Sequence, residues 1–514
     1  MTPLIYGIIH IGSMSLSMRI VKYGGMNRIE VLEEVRKEIS FGEEAFVEKR
    51  LSFASIRRLC DMLSGLKQLL SDYRVTEYRV YATAVFREAK NRRAILDLIH
   101  VNTGFRVEII DMPQEIYFKH FTIQYKVHRM EEACGASPQN YLYVDLTSGC
   151  LGLTLWEEGA LKYQQNVHTG TLRLLETFRV NQRQSVDFPL AMAEYVHTVL
   201  LPLWESLAQY NPGCLVMSGH EARMMATLMG KNMGTGDGMD ITPLEFYKIF
   251  EETARLTPPL LMKKYGLNEQ SAEAVLPTML IYKEILDHVS VSRLILMGTT
   301  FIEAAAAFYG AKRTNDPALS EMRHQNLELT RSIADRYYYE PAHAEAMENF
   351  AKTVISAFRG INDLGERDEF LLRMAIILCQ VGKYVNLLGR SAQACQIVNG
   401  IDIFGLSDKE KDMVACIVYY DHSRVPSDDD EPFAVLDESA KMTAMKLIAI
   451  FRIVRAMDIS RKQKMKHVTA EVKDEHLLIR YDSDENTALE TWVFDKEKDF
   501  FRNVFGMEAD LSRR

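Results

Sequence analysis

Residues 141–155 read YLYVDLTSGCLGLTL, an apolar strand that enters a small polar turn and leaves it as a second apolar strand. Residues 6–20 repeat this pattern as YGIIHIGSMSLSMRI. Small residues in a tight turn after a buried strand let successive backbone N–H groups converge on an anion. The two stretches therefore predict two similar lobes that together hold a phosphate site.

The composition is that of a large globular protein. The chain has 514 residues, of which 47% are hydrophobic, enough to bury cores in three or four domains. Lys and Arg number 61 against 70 Asp and Glu, a formal net charge of −9. This balance disfavours binding to bulk nucleic acid or anionic membranes, but it permits a polyanion in a local basic groove.

The sequence also indicates a cellular compartment. No charged leader precedes the first apolar stretch, which His10 and Ser13 interrupt, so we predict no signal peptide. No run of about 18 apolar residues is present, so we predict no membrane span. The seven cysteines are dispersed, as expected for free thiols in a reducing cytosol. These features predict a soluble cytoplasmic protein.

Residues 1–125 read as a first α/β lobe. Apolar residues recur at helical spacing over 50–70. Short apolar runs at 78–82 and 105–110 predict strands, and 92–101 predicts a helix between them.

Residues 126–310 read as a second lobe of the same design. A hairpin is predicted at 141–163, and buried strands are predicted at 214–217 and 294–297. Each lobe opens with a hairpin whose turn is small and polar. The two lobes therefore form a weak internal repeat.

Residues 311–430 read as a helical domain. Within it, 371–378 is apolar at nearly every position, which predicts the central helix of a bundle. Residues 431–514 read as a small α+β module. Its predicted elements are a helix over 435–457, strands over 467–472, 477–481 and 490–494, and a terminal helix over 496–505.

Two charged residues stand where chemistry would need them. Arg87 lies in a small-residue turn after a strand, from which a guanidinium can grip a phosphate through two hydrogen bonds. Glu115 opens a helix, and its carboxylate can accept a proton from an attacking water. The alternatives are a surface arginine and a first-turn acid favoured by the helix dipole.

The helical domain offers weaker candidates. His343 and His422 are possible metal ligands. A binuclear site would need adjacent His and Asp side chains at the end of the central helix, where Cys379 and Gln380 stand instead. We therefore predict no metal in this domain.

Taken in order, these pieces resemble the Ppx/GppA family of exopolyphosphatases and guanosine pentaphosphate phosphohydrolases over nearly the whole chain. The strongest stretches are 82–89, 110–115 and the segment from Asp145, and 456–464 resembles a bacterial, clostridial-type branch. The resemblance implies an α/β, actin-like (ribonuclease H-like) two-lobed ATPase fold. An all-α HD-like domain and a small α+β C-terminal domain follow it.

The resemblance implies a role for each matching residue. Glu115 matches the general base, and Arg87 matches a conserved phosphate-binding arginine. Asp145 matches a metal-linked aspartate, which implies Mg²⁺ as cofactor. The other matches are phosphate-binding positions: Gly12 and Ser13 in the first loop, Ser148 and Gly149 in the second, and Ser218 and Gly219 in a later turn.

Several positions depart from the family's pattern. In the first loop, His10 and Met14 stand for an aspartate and an asparagine. The residue after Glu115 is Ile116 rather than the family's alanine. The second loop departs at Thr147, Ser148, Cys150 and Gly152, which stand for two glycines, a serine and a second metal-linked glutamate.

These departures weaken metal binding first. His10 and Gly152 remove two of the three carboxylates implied for the metal, and Asp145 remains. Phosphoanhydride hydrolysis needs an oriented water, a cation that spans the phosphates and donors for the equatorial oxygens. Losing several such groups predicts a rate loss of roughly 10⁴ or more. Backbone N–H groups near Gly12 and Gly149 persist, and a protonated His10 would add charge, so we expect anion binding to outlast turnover.

Three functions stay open at this point. We favour a catalytically weakened member, a pseudoenzyme in which polyphosphate or a guanosine or adenine nucleotide is bound but barely hydrolysed. A working exopolyphosphatase would release terminal phosphate from polyphosphate or pppGpp, with Glu115 as general base. A non-catalytic protein-interaction scaffold is the third. The resemblance also implies a homodimer.

Overall fold

The computed structural model describes residues 3–39, 41–46, 48–133, 140–231, 233, 238–422 and 424–514. They divide into two compact units, 1–322 and 323–514. The predicted finer boundaries, after residues 125, 310 and 430, stay predictions. Cys134 lies outside the described residues, and the six other cysteines are free thiols. Within the described ranges, no helix combines the length and apolar character needed to cross a membrane.

The described residues form strands in both units. In chain order the strands are β1 (Leu4–Ile11), β2 (Ser15–Tyr23), β3 (Ile29–Glu38), β4 (Tyr78–Ala82), β5 (Val107–Ile109), β6 (Tyr141–Leu146), β7 (Leu151–Glu157), β8 (Ala160–Val167), β9 (Cys214–Ser218), β10 (Met239–Ile241), β11 (Arg293–Met297), β12 (Lys466–Lys473), β13 (His476–Asp482) and β14 (Glu508–Arg513).

Helices connect and cover these strands. In chain order they are α1 (Gly42–Phe46), α2 (Phe53–Asp72), α3 (Ala84–Glu88), α4 (Arg92–Thr103), α5 (Met112–Ala133), α6 (Thr171–Glu176), α7 (Val180–Arg183), α8 (Phe188–Leu207), α9 (Gly219–Leu228), α10 (Pro243–Thr253), α11 (Pro258–Tyr265), α12 (Glu269–His288), α13 (Phe301–Thr314), α14 (Pro317–Asp335), α15 (Pro341–Ala357), α16 (Glu366–Leu378), α17 (Arg390–Gly400), α18 (Asp408–Tyr419), α19 (Glu431–Ala434), α20 (Glu438–Ala456) and α21 (Ala488–Phe505).

The first sheet has the strand order β3-β2-β1-β4-β5. Its central strand β1 runs antiparallel to β2 and parallel to β4. Ile8, Ile9 and Ile11 of β1 are fully buried, as is usual for a strand covered on both faces. Because Ile11 pairs with Ala82 at the end of β4, the first loop lies beside the turn that leads to Arg87.

The second sheet has the strand order β10-β11-β9-β6-β7-β8. Here β6 runs antiparallel to β7 and parallel to β9. Val144 pairs with Met217, so the second loop lies beside the turn at the end of β9. Each sheet thus places three antiparallel strands at one edge, with a loop at the carboxyl end of the innermost one. This arrangement confirms the internal repeat and the two-lobed actin-like fold.

One strand of the first lobe has no clear sequence signal. β3 reads IEVLEEVRKE, and its residues are mostly exposed or half-buried. It pairs with β2 alone, at the edge of the sheet. Charged side chains are common on such edges because they discourage pairing with other chains. The same charges hide the alternation that reveals a strand.

The second unit is helical and ends in a small α+β part. Residues 370–378 of α16 are buried except at Arg373, which confirms the central helix. β12, β13 and β14 form a three-stranded sheet beside α21. The prediction of a strand over 490–494 is wrong, because these residues lie in the first two turns of the helix α21. Glu490, Phe494 and Phe501 are buried from this helix, and their spacing is helical.

Candidate functional site

Residues from both lobes of the first unit line a cavity of about 220 Å³. The predicted site residues that line it are Gly12, Ser13, Glu115, Ser148 and Gly219. The predicted residues outside its lining are Arg87, Asp145, Gly149 and Ser218. A larger cavity of about 630 Å³ lies around residues 22–30 and 314–317, and no predicted site residue lines it. The smaller cavity is therefore the candidate site.

The two phosphate-type loops meet at this cavity. Gly12 donates its N–H to the carbonyl of Ser15 at 3.0 Å, which closes the first turn. The hydroxyls of Ser13 and Ser148 lie 2.7 Å apart, so the loops of the two lobes touch through these side chains. A ligand placed between the loops would meet both hydroxyls.

Thr147 organises the second loop. Its hydroxyl accepts the N–H of Cys150 at 3.1 Å and lies 3.4 Å from the N of Gly149. Burial raises the pKa of the Cys150 thiol to about 12, so this group is neutral. Gly170 backs the loop so closely that a Cβ there would lie 2.4 Å from the N of Gly149. The second loop therefore keeps a tight turn, but the N–H of Gly149 points to the hydroxyl of Thr147 within the same loop.

The two residues of the Ser218–Gly219 turn have different structural roles. The Ser218 hydroxyl donates to Oδ1 of Asp145 at 3.0 Å and lies 2.9 Å from the hydroxyl of Tyr143. Gly219 has φ +86°, a left-handed backbone that favours glycine, and it begins α9 at the cavity wall. Ser218 therefore braces Asp145, while Gly219 shapes the cavity.

Four charged side chains form a chain of ion pairs beside the cavity. Arg87 donates from Nη1 to Oε2 of Glu115 at 2.9 Å and to the carbonyl of Ile110 at 2.7 Å. Lys119 Nζ lies 3.6 Å from Oε1 of Glu115 and donates to the two carboxylate oxygens of Asp145 at 3.1 and 3.0 Å. The side chains of Lys119 and Asp145 are 4% and 0% exposed. The two positive and two negative charges balance.

The ion pairs fix the protonation states of this chain. Burial favours neutral Glu115, but Arg87 and Lys119 outweigh it and hold the pKa of Glu115 below its usual value. Burial likewise opposes the charge on Lys119, but Asp145 and Glu115 keep the pKa of Lys119 above its usual value. Glu115 is thus ionised at neutral pH. Its basicity is reduced, because taking up a proton would break its pairing with Arg87.

Gly152 lies opposite Asp145 in the pairing of β6 with β7. A Cβ at Gly152 would lie 2.6 Å from Cδ1 of Ile116, whose side chain is fully buried. Ile116 thus fills the space in which a side chain at position 152 would begin. The two departures from the family's pattern, at 116 and 152, complement each other sterically.

The residues present do not fit a Mg²⁺ ion held by Asp145. Its carboxylate already accepts hydrogen bonds from Lys119 and Ser218. A divalent ion about 4 Å from the ammonium would be repelled by about 8 kcal/mol at an effective dielectric constant of about 20. Across the described ranges, one group of His, Cys or acidic residues is close enough to hold a metal: His197, Glu284 and His288, none of which lines the cavity.

His10 does not supply the positive charge expected of it. Burial, reinforced by Lys119 and Arg87, lowers the pKa of His10 to about 4, so the ring is neutral at pH 7. Its Nε2 lies 3.1 Å from the hydroxyl of Thr83, and its ring packs against Phe301 at 4.6 Å between centroids. His10 is a neutral wall of the cavity.

Several residues that line the cavity are not predicted from the sequence. Lys119 has a signal that could have revealed it, since it lies four residues after Glu115 and shares its helix face. Glu221 lines the cavity from the first turn of α9, and burial raises its pKa to about 7. Arg36 and Arg223 also line the cavity and are basic. No local pattern places Arg36 near the loops, whereas Glu221 and Arg223 follow Gly219 of the predicted turn by two and four residues.

The candidate residues of the second unit have structural partners. His343 Nδ1 lies 2.7 Å from Oδ2 of Asp458, and both side chains are buried. His422 pairs with the neighbouring Asp421. Cys379 donates its thiol to the carbonyl of Ile376. No group in the described part of this unit meets the distances of a metal site.

Comparison with known proteins places these observations in a family. The sequence profile of the "Ppx/GppA phosphatase family" matches residues 19–303, and that of "Ppx/GppA phosphatase, domain III" matches 328–499. The "Guanosine-5'-triphosphate,3'-diphosphate pyrophosphatase" of Photobacterium profundum is 20% identical over 456 residues, 88% of this chain and 85% of that protein. The protein of the same name from Aeromonas hydrophila is 20% identical over 453 residues, 88% of this chain and 86% of that protein.

Solved structures agree on the fold over about 60% of the chain. The Aquifex aeolicus member of the Ppx/GppA family has a TM-score of 0.51 at 19% identity, covering 60% of this chain and 99% of that one. An exopolyphosphatase from Cytophaga hutchinsonii has a TM-score of 0.52 at 17% identity, covering 60% and 98%. At such identities the likeness shows the actin-like fold, and the profile matches carry the family assignment. The chain belongs to the Ppx/GppA phosphatase family.

Proposed function

We propose that this chain binds the terminal phosphates of polyphosphate or of a phosphorylated nucleotide in the cavity between its lobes, and that hydrolysis is weak or lost. One observation carries the proposal: Glu115 and Asp145, the carboxylates matched to the base and to the metal ligand, are both neutralised by side chains of the chain itself. Membership of the Ppx/GppA family supports a phosphohydrolase fold and a ligand of the polyphosphate or phosphorylated-nucleotide class.

Binding is supported by what surrounds the cavity. The hydroxyls of Ser13 and Ser148 offer donors from the two loops. Arg36 and Arg223 add positive charge to the lining, and Arg36 is exposed. Guanidinium groups suit phosphate because their planar donors match its oxygens. An anionic ligand therefore meets hydroxyl donors at the loops and the guanidinium groups of Arg36 and Arg223 on a wall that also carries Glu34 and Glu221.

Weak hydrolysis follows from the missing charge stabilisation. A cation that spans the phosphates neutralises charge that develops in the transition state. Here the positive charges of Arg87 and Lys119 are already balanced by Glu115 and Asp145. Removing a single group that stabilises the transition state typically costs about 10²–10³ in rate. This chain lacks two of the carboxylates that the family resemblance implies for the metal, at positions 10 and 152.

A working exopolyphosphatase is the second candidate. It is favoured by the position of Glu115, which lines the cavity as an ionised carboxylate and is able to orient a water. In that case the terminal phosphate of polyphosphate or pppGpp would be released with Glu115 as base.

Phosphate release separates the two candidates. We expect release from polyphosphate and pppGpp, with Mg²⁺ or Mn²⁺, to lie roughly 10⁴-fold or more below a typical family enzyme, and Glu115→Gln to leave it unchanged. Glu108→Gln is the matched control, because Glu108 is an exposed carboxylate of β5 in the same lobe. Rapid release that Glu115→Gln abolishes and Glu108→Gln spares would replace the proposal with the second candidate.

A further inference from the structure

The ammonium of Lys119 stands between carboxylates from two lobes. Glu115 lies on the same helix, α5, whereas Asp145 lies in β6 of the second lobe. Nζ is 3.0 and 3.1 Å from the oxygens of Asp145 and 3.6 Å from Oε1 of Glu115. The cation that links the carboxylates of Glu115 and Asp145 is thus a side chain of the protein itself.

The ammonium of Lys119 is buried and lies within 4 Å of oxygens from two carboxylates. Lys119 is 4% exposed, and Asp145 accepts a further hydrogen bond from Ser218. Buried charges of this kind persist only when they are paired and hydrogen-bonded. Lys119 also lines the cavity, so the ion-paired ammonium lies at the wall that a bound anion would face.

We propose that Lys119 is the resident cation of the cleft in place of a divalent metal ion, so that the cleft binds condensed phosphate in its metal-free form. The inference rests on the proposed function, because it specifies the form of the ligand that the cavity takes. Lys119 acts here as a binding and charge-balancing residue rather than as a catalytic one.

The surroundings of Lys119 support this assignment. The neighbouring positions matched to metal-linked carboxylates hold His10 and Gly152, and Ile116 occupies the space beside Gly152. Glu115 and Asp145 are already paired with cations of the chain, so neither offers a free charge to balance an added divalent ion. A metal-chelated phosphate would bring excess positive charge, whereas a free polyanion would meet Arg36 and Arg223.

Calorimetry with inorganic tripolyphosphate gives the first test. We expect the wild type to bind tripolyphosphate in excess EDTA at least as tightly as in Mg²⁺. Binding that requires Mg²⁺ would overturn the inference and leave the proposed function standing. Absence of binding in both buffers would count against the proposed function, and the second test would then decide the inference.

Direct Mn²⁺ binding, followed by electron paramagnetic resonance without phosphate, gives the second test. All proteins carry His197→Ala, which removes the other metal-type group of the described residues. We expect Lys119→Gln to gain one Mn²⁺ site at least about tenfold tighter than any in the parent. Lys22→Gln, at a lysine exposed on β2, is the matched control and should gain none.

Two results would overturn the inference in this second test. One is a tight Mn²⁺ site in the parent whose spectrum changes when tripolyphosphate is added afterwards. The other is a folded Lys119→Gln protein, judged by its thermal unfolding, that binds Mn²⁺ no better than the parent. The measurement on the parent needs no substitution in the cleft. It therefore tests the inference even where Lys119→Gln fails to fold.

Discussion

Replacing Lys119 by methionine is expected to lower the free energy of unfolding by about 3–5 kcal/mol, because it leaves the fully buried Asp145 without its counter-charge. Urea unfolding of the two proteins at pH 8 measures this difference. At pH 5 the deficit should be smaller, since a buried carboxyl without a counter-charge has a raised pKa and protonation then relieves the charge. Stability of the variant relative to wild type thus rises as the pH falls.

Two controls show whether the loss belongs to the buried pair. Lys119→Met combined with Asp145→Asn removes both charges and should recover part of the loss, with a coupling energy of about 1–3 kcal/mol. Lys22→Met breaks an exposed pair with Glu30 and should cost less than about 1 kcal/mol. Equal losses for Lys119→Met and Lys22→Met would show that Lys119 is not a buried counter-charge.

Restoring a glutamate at position 152 is expected to be destabilising rather than restorative. A Cβ at Gly152 would lie 2.6 Å from Ile116 Cδ1, and the added carboxylate would enter a buried region. Overpacking alone costs about 1–3 kcal/mol, and the unpaired carboxylate adds to it. We therefore expect Gly152→Glu to lower the free energy of unfolding by more than about 3 kcal/mol in denaturant titrations.

Ile116→Ala tests the steric origin of this loss. Alone it leaves a cavity and should cost about 2–5 kcal/mol. The double variant with Gly152→Glu should lose less free energy of unfolding than the two single variants lose together, by about 1–3 kcal/mol. Gly65→Ala is the control, because nothing lies within 4 Å of a Cβ there. Strictly additive losses would mean that Ile116 does not occupy the space beside Gly152.

The sequence predicts the frame of the site better than its charge state. The two loops, with Arg87 and Glu115 in order, are enough to predict the paired lobes, because strand and turn patterns are local. The strand β3 is not predicted, because this charged edge strand has no buried face that would give an alternating pattern. Residues 490–494 mislead because aromatic and β-branched residues favour strands, whereas their burial pattern is helical.

The charge state depends on contacts between elements distant in sequence. Lys119 and Asp145 pair across two lobes, and Arg36 reaches the cavity from β3. The neutral state of His10 follows from its burial, which the first loop alone does not reveal. A substitution such as Gly152 can be noticed in the sequence, but its partner Ile116 is recognised only in three dimensions.

The most direct test of ligand binding without turnover is one calorimetric titration of the wild type with tripolyphosphate, with phosphate assayed in the cell afterwards. Arg36→Ala serves as the site control, with Lys37→Ala beside it, because adjacent residues of β3 point to opposite faces. We predict saturable binding to one site, weakened about tenfold by Arg36→Ala and little changed by Lys37→Ala, with no phosphate released. Rapid release of phosphate, or no saturable binding at all, would contradict the account.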